Sequence, residues 1–204
     1  MTRYGFVFNL NACGDLRGCM LACKDKTKSF LGSHYTETFT SNDGEMPHPN
    51  LYFMPARCQH CAEPKCVEAC EAGVLFKRDD GIVAVGDTSK CEACEGKPCI
   101  DACAYKSIEL DRRTGRIGKC DMCADRIDAG ELPACAKSCL NNAIFFGDFD
   151  DEESPVGQAV AAWGESGMMH ELLPENKPAH RYLLSRAKWT GMDNLYSPAW
   201  HDVQ

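Results

Sequence analysis

The sequence predicts an α+β fold in which short strand hairpins and short helical turns are wrapped around repeated cysteine loops. Its 204 residues include 15 cysteines, these cysteines fall into recurring spaced phrases, and a short apolar strand follows three of the four phrases. The clearest phrase, C-x2-C-x4-C-x3-C, occurs twice: as Cys58, Cys61, Cys66 and Cys70, and again as Cys91, Cys94, Cys99 and Cys103.

The spacing decides what the cysteines do. A disulfide scaffold scatters its cysteines through loops. A structural zinc site closes with two C-x2-C pairs across a longer loop and has no use for a third and fourth cysteine one helical turn apart, so a zinc-binding interaction module is the weaker alternative. Three thiolates on a short loop can hold three corners of an iron-sulfur cube, while the fourth, a helical turn beyond the third, points towards a second cube. Two such phrases exchange their last cysteines, so residues 58–103 read as a two-cluster core like that of a bacterial ferredoxin.

Composition is that of a soluble globular chain, 44% hydrophobic and 25% charged, with a formal charge of -8. No basic stripe is present to meet phosphates, so nucleic acid is excluded as a partner. No apolar run approaches the length of a bilayer span, so no direct membrane span is expected, and Met1 to Leu10 reads as carrying no export signal of its own.

Along the chain, Tyr4, Phe6, Phe8 and Leu10 alternate as in a strand, although Val7 blurs the pattern, and lead to Cys13. Cys13, Cys19 and Cys23 match the ferredoxin run C-x2-C-x2-C-x3-C at three positions and fail at the second, where Leu16 stands. Residues 24–57 hold no cysteine and are rich in Thr, Ser, Asn, Asp, Gly and Pro. They read as a long loop insertion, either solvated or a partner-contacting arm, with His34 and His48 at the surface and a short strand at Leu51–Met54. After Cys70, Val74–Phe76 and Ile82–Val85 flank an Asp-Gly turn and predict a hairpin. Ile108–Leu110 with Arg116–Ile117 repeat the theme after Cys103, and Ala143–Phe146 follows Cys139.

The fourth phrase is Cys120, Cys123, Cys135 and Cys139, with a helical piece at Asp125–Ala129 stopped by Gly130. Pro64, Pro98 and Pro133 lie one or two places before a third cysteine, where a fixed φ stiffens the loop. Beyond Gly147 the sequence predicts a helix at Pro155–Trp163 and an extended C-terminal tail. Trp189, Tyr196 and Trp200 in that tail either anchor it to another subunit or wrap it over the chain's own core. Fifteen cysteines are four sets of four less one, which predicts three complete [4Fe-4S] clusters and a fourth, incomplete site.

The segment from Lys119 to Arg126, with Gly130, Pro133, Cys135 and Cys139, together with the phrase from Cys58 to Cys70, resembles the four-cluster electron-transfer (beta) subunit of the dimethyl sulfoxide reductase family. Phe146-Gly147-Asp148 with Asp150-Asp151, then Leu173-Pro174-Glu175 and Lys177-Pro178, are similar to subunits of polysulfide and tetrathionate reductases. The resemblance implies a non-catalytic subunit that relays single electrons to or from a large partner carrying molybdenum or tungsten on a bis-pterin guanine dinucleotide cofactor. It leaves room for a membrane-anchor subunit, and for either a cytoplasmic location or export of the folded chain with a signal-bearing partner.

It also implies that inner phrases pair with each other and outer phrases with each other. One inner cluster would then use Cys58, Cys61, Cys66 and Cys103, and the other Cys91, Cys94, Cys99 and Cys70. One outer cluster would use Cys120, Cys123, Cys135 and Cys23. The other would have Cys13, Cys19 and Cys139 alone, as a [3Fe-4S] cluster or as a [4Fe-4S] cluster completed by a non-cysteine ligand such as Asp15, a harder donor that would hold its iron loosely. The chain then divides into an outer module (residues 1–23 and 104–147), an insertion (24–57), an inner module (58–103) and a partner-contacting helix and tail (148–204). Departures from the family pattern are Leu16, the four-residue middle gap of the third phrase, and Lys24, Glu71, Ala104 and Leu140 where proline often follows the last cysteine. No residue is expected to act as acid, base or nucleophile; His60, between two ligands, reads as a plain histidine beside the cluster or at the surface rather than one that tunes the cluster by hydrogen bonding. A free polyferredoxin carrier would need the same cysteines and is the other reading.

Overall fold

The computed structural model describes residues 2–42, 44–192, 195 and 196. In chain order the elements are β1 (Tyr4–Asn9), α1 (Gly18–Thr27), β2 (Thr36–Asn42), β3 (Leu51–Arg57), α2 (Lys65–Glu68), β4 (Leu75–Lys77), β5 (Val83–Val85), α3 (Pro98–Asp101), β6 (Glu109–Asp111) and β7 (Arg116–Gly118). There follow α4 (Ala124–Asp128), α5 (Ala134–Lys137), β8 (Ile144–Asp148), α6 (Pro155–Trp163), β9 (Met169–His170), β10 (Arg181–Leu183) and β11 (Leu195–Tyr196). Short 3-10 turns occupy Thr88–Ala93 and Pro174–Asn176.

β1 is the centre of a sheet ordered β8-β1-β10-β9, antiparallel to β8 and parallel to β10. Phe6, Phe8 and Leu10 point to a core shared with Tyr52, Met54, Ile82, Met122 and Tyr182. Val7 points the other way, into a second cluster with Val156 and Ala159 of α6 and Leu183. Both faces of β1 are therefore covered, which is why its alternation is blurred. Full burial of each such side chain contributes roughly 1.5–3 kcal/mol, so β1 is a major anchor of the fold. Helix α6 begins as its sequence dictates, with the Ser154 hydroxyl accepting the Gly157 N–H at 3.0 Å and Pro155 in the first turn.

Two expectations need correction. Residues 24–57 are not mainly loop: β2 and β3 form a seven-pair antiparallel hairpin from Thr36 opposite Arg57 to Asn42 opposite Leu51. The strand was hidden because its inward positions include Thr36, Thr38 and Ser41, all buried, which read as polar although threonine favours strands. Asp43, in the expected loop, lies outside the described residues. Nor is the C-terminal segment an extended tail as far as Met192. Tyr182 of β10 lies opposite Phe8 and His170 of β9 opposite Tyr182. Trp189 stacks on His170 with ring centroids 4.7 Å apart and lies 5.7 Å from Tyr182. The tail to that point covers its own core. Tyr196 contributes a backbone pairing with Thr40, while its side chain and Trp200 lie outside what is described. Among the described residues no helix is long and apolar enough to cross a membrane.

Candidate iron-sulfur sites

Short helices place the cysteines. Pro64 and Pro133 cap α2 and α5, and Pro98 opens α3, so each of Cys66, Cys135 and Cys99 enters a helix whose first turn is fixed by proline. α1 carries Cys19 and Cys23 one turn apart and is preceded by Arg17, in the left-handed region with φ 54°. The last cysteine of three phrases leaves its helix, and its sulfur accepts the backbone N–H four residues on. Val74 donates to Cys70 at 3.3 Å, Ser107 to Cys103 at 3.4 Å and Ala143 to Cys139 at 3.2 Å. These hydrogen bonds explain why a strand starts just there, since the chain is turned back onto the sulfur before it extends.

The structure gathers cysteines from different phrases. Cys66 feels the charges of Cys58, Cys103 and Cys61. Cys99 lies with Cys70, Cys91 and Cys94. Cys123 lies with Cys135 and Cys23, and Cys120 with Cys23. Cys13 lies with Cys19 and Cys139. Electrostatic influence also runs between these groups: Cys58 acts on Cys120, and Cys135 on Cys19. Burial first, with nearby sulfurs adding, pushes the Cys66 thiol up to about 12 and those of Cys61, Cys99 and Cys123 to about 11. Burial holds Cys120 well above the ordinary thiol range. Thiols so placed resist ionising alone, and cationic iron supplies the charge that makes their thiolates stable.

The positive groups fit the same conclusion. Lys119, 3% exposed, donates from Nζ to the Cys120 carbonyl at 2.8 Å and to the Val83 carbonyl. Lys77 Nζ donates to the His60 and Cys61 carbonyls. Arg57 Nη1 donates to Cys135 Sγ at 2.8 Å from a fully enclosed position. From β2, the Thr38 and Thr36 hydroxyls face Cys19 and Cys23 and lower their thiol pKa values against the larger upward effect of burial. Buried cations and donors grouped on sulfur and on the carbonyls beside it fit anionic iron-sulfur clusters. The sequence showed none of these partners. Arg57 offered one signal, a charged residue directly before Cys58.

Leu16 is 59% exposed and lines the same hollow as Cys13, Cys19 and Cys139. The Asp15 carboxylate is clamped by Arg17, whose Nε lies 3.1 and 3.2 Å from its two oxygens and whose Nη2 lies 3.0 Å from Oδ2. To bind iron, Asp15 would have to give up that pairing. His60 is buried with Nδ1 accepting the Val83 N–H at 2.9 Å, so this nitrogen holds β5 rather than a sulfur. His48 is exposed and His34 half-buried.

Repeated loops of buried cysteine with charge-assisting donors define an iron-sulfur protein, and residues 49–149 match the family described as 4Fe-4S dicluster domain. A sulfite dehydrogenase subunit of Allochromatium vinosum is 33% identical over 209 residues, spanning 91% of this chain and 85% of that protein. A tetrathionate reductase subunit of Salmonella typhimurium is 32% identical across 98% of this chain and 81% of its own length. A chain of the anaerobic dimethyl sulfoxide reductase of Escherichia coli is 32% identical, with 78% and 80% covered. The protein belongs to the family of iron-sulfur electron-transfer subunits of dimethyl sulfoxide reductase-type oxidoreductases.

Proposed function

We propose that this chain is a non-catalytic relay that passes single electrons through four clusters to or from a large subunit carrying molybdenum or tungsten on a bis-pterin cofactor. The ligand sets would be Cys13, Cys19 and Cys139; then Cys23, Cys120, Cys123 and Cys135; then Cys58, Cys61, Cys66 and Cys103; then Cys70, Cys91, Cys94 and Cys99. What supports this reading is that cysteines of different proposed sets act electrostatically on one another, Cys135 on Cys19 and Cys58 on Cys120, as a row of neighbouring clusters would require. A single row of redox centres transmits charge, whereas separate structural sites would have no reason to adjoin.

The first two sets form an outer module from residues 1–23 and 104–147, and the last two an inner module from residues 58–103. The β2–β3 hairpin closes over the outer module through Thr36, Thr38 and Arg57. When bound, the clusters supply one-electron redox chemistry. The chain's own residues fix the sulfurs, exclude water from them and set the surrounding charge. Substrate chemistry belongs to the partner, and a membrane anchor can join the assembly as a separate subunit.

Anaerobic isolation of the tagged chain from its own cells tests the proposal. A stoichiometric large subunit containing molybdenum or tungsten is expected. A chain recovered alone, reduced equally well by several unrelated donors, would establish the free polyferredoxin instead.

A further inference from the structure

Arg57 ends β3, directly before Cys58 and opposite Thr36 in the hairpin. Its side chain is 3% exposed. The guanidinium carbon stands 4.7 Å from the centre of the Phe8 ring and 5.2 Å from that of Phe6, so two aromatic faces cover one side. On the other side Nη1 donates to Cys135 Sγ at 2.8 Å, while Nε and Nη2 find no hydrogen-bond acceptor among the described residues. The four groups whose charges act on it most are Cys135, Cys120, Cys19 and Cys23. Cys135, Cys120 and Cys23 belong to one proposed outer set and Cys19 to the other, so the cation acts on both.

A guanidinium cannot shed its proton, and a buried charge without a counter-charge is strongly disfavoured. Its hydrogen-bond acceptor among the described residues is a cysteine sulfur, so anionic clusters on the surrounding cysteines would compensate it. Each outer cluster gains one negative charge when it accepts an electron from its neighbour, and a fixed cation nearby stabilises that reduced form most where water is excluded.

The geometry points to Arg57 as the residue that sets the reduction potentials of the two outer clusters together, holding both above the values their thiolates alone would give. This rests on the ligand sets proposed above. Arg57 ligates no iron; it positions charge.

The test uses the complete chain, isolated anaerobically with its co-purifying subunits, and EPR-monitored redox titration. Arg57→Gln keeps an N–H donor but removes the charge. It is expected to lower the reduction constant of both outer clusters at least tenfold, about 59 mV for one electron, with smaller shifts in the inner pair. Arg57→Lys, which keeps the charge, is expected to recover most of the loss. Fully loaded Arg57→Gln with unchanged outer potentials overturns the inference, and so does a shift of equal size in all four clusters.

If Arg57→Gln fails to load its outer clusters, pulsed EPR on the wild-type chain labelled with 15N in the arginine guanidinium decides. A 15N coupling to the reduced outer clusters supports the inference, and its absence overturns it. Failure of the underlying reading is distinguishable, because the wild-type chain would then lack the outer cluster signals altogether.

Discussion

Replacing Cys120 with alanine is expected to remove one cluster from the middle of the row and stop electron transfer through the chain. Cys120 is 7% exposed, its sulfur accepts the Met122 N–H at 3.4 Å, and both Cys23 and Cys58 act on it electrostatically. Loss of partners outside the ligand shell typically lowers metal-site activity about 10–100-fold, so loss of a ligand in a serial path should lower turnover by more than about 100-fold. Iron should fall by about four atoms per chain. Iron analysis, EPR and turnover with an artificial donor at the far end of the complex check this. Full turnover with one cluster missing would show that the path bypasses the Cys120 set.

Replacing Leu16 with cysteine is expected to have the second large effect, on the cluster proposed for Cys13, Cys19 and Cys139. Leu16 lines the hollow these three share and is exposed enough for its side chain to be exchanged without disturbing the core. The oxidised wild-type protein should show a three-iron EPR signal. In Leu16→Cys that signal should disappear and about one iron per chain should be gained, as the site becomes a cube. The Arg17 clamp on Asp15 makes the carboxylate a poor competitor for that position. Sixteen-iron stoichiometry in the wild type, about four for each of four sites, would instead mean that a non-cysteine ligand already completes it.

Much of the candidate site could be read in the sequence because the cysteine spacing repeats the helical turn. Cys19 and Cys23, Cys66 and Cys70, Cys99 and Cys103, and Cys135 and Cys139 each lie four residues apart, and this periodicity survives whatever fills the gaps. The β4–β5 hairpin was legible through its Asp-Gly turn, and α6 through Ser154 and Pro155, since both signals are local. β2 was not, because Thr36 and Thr38 are buried towards Cys23 and Cys19 rather than among aliphatic side chains. Neither was β10. Three residues that pair in parallel with a strand more than 170 positions earlier carry no local pattern.

Arg57 illustrates the general difficulty. A buried cation is normally read as an error of strand assignment, and it is intelligible only once the sulfurs that surround it are known. The tail was ambiguous for a related reason: Trp189 has the size of an interface anchor, and only the placement of His170 and Tyr182 shows that it is satisfied within the chain.

Iron and acid-labile sulfide, measured on the full-length chain after strictly anaerobic isolation, test the central claim most directly. Three cubes and one three-iron cluster predict about fifteen irons per chain, with sulfide in matching amount and a brown colour bleached by dithionite. A colourless chain free of iron and sulfide, or one loaded with zinc in their place, would contradict the account.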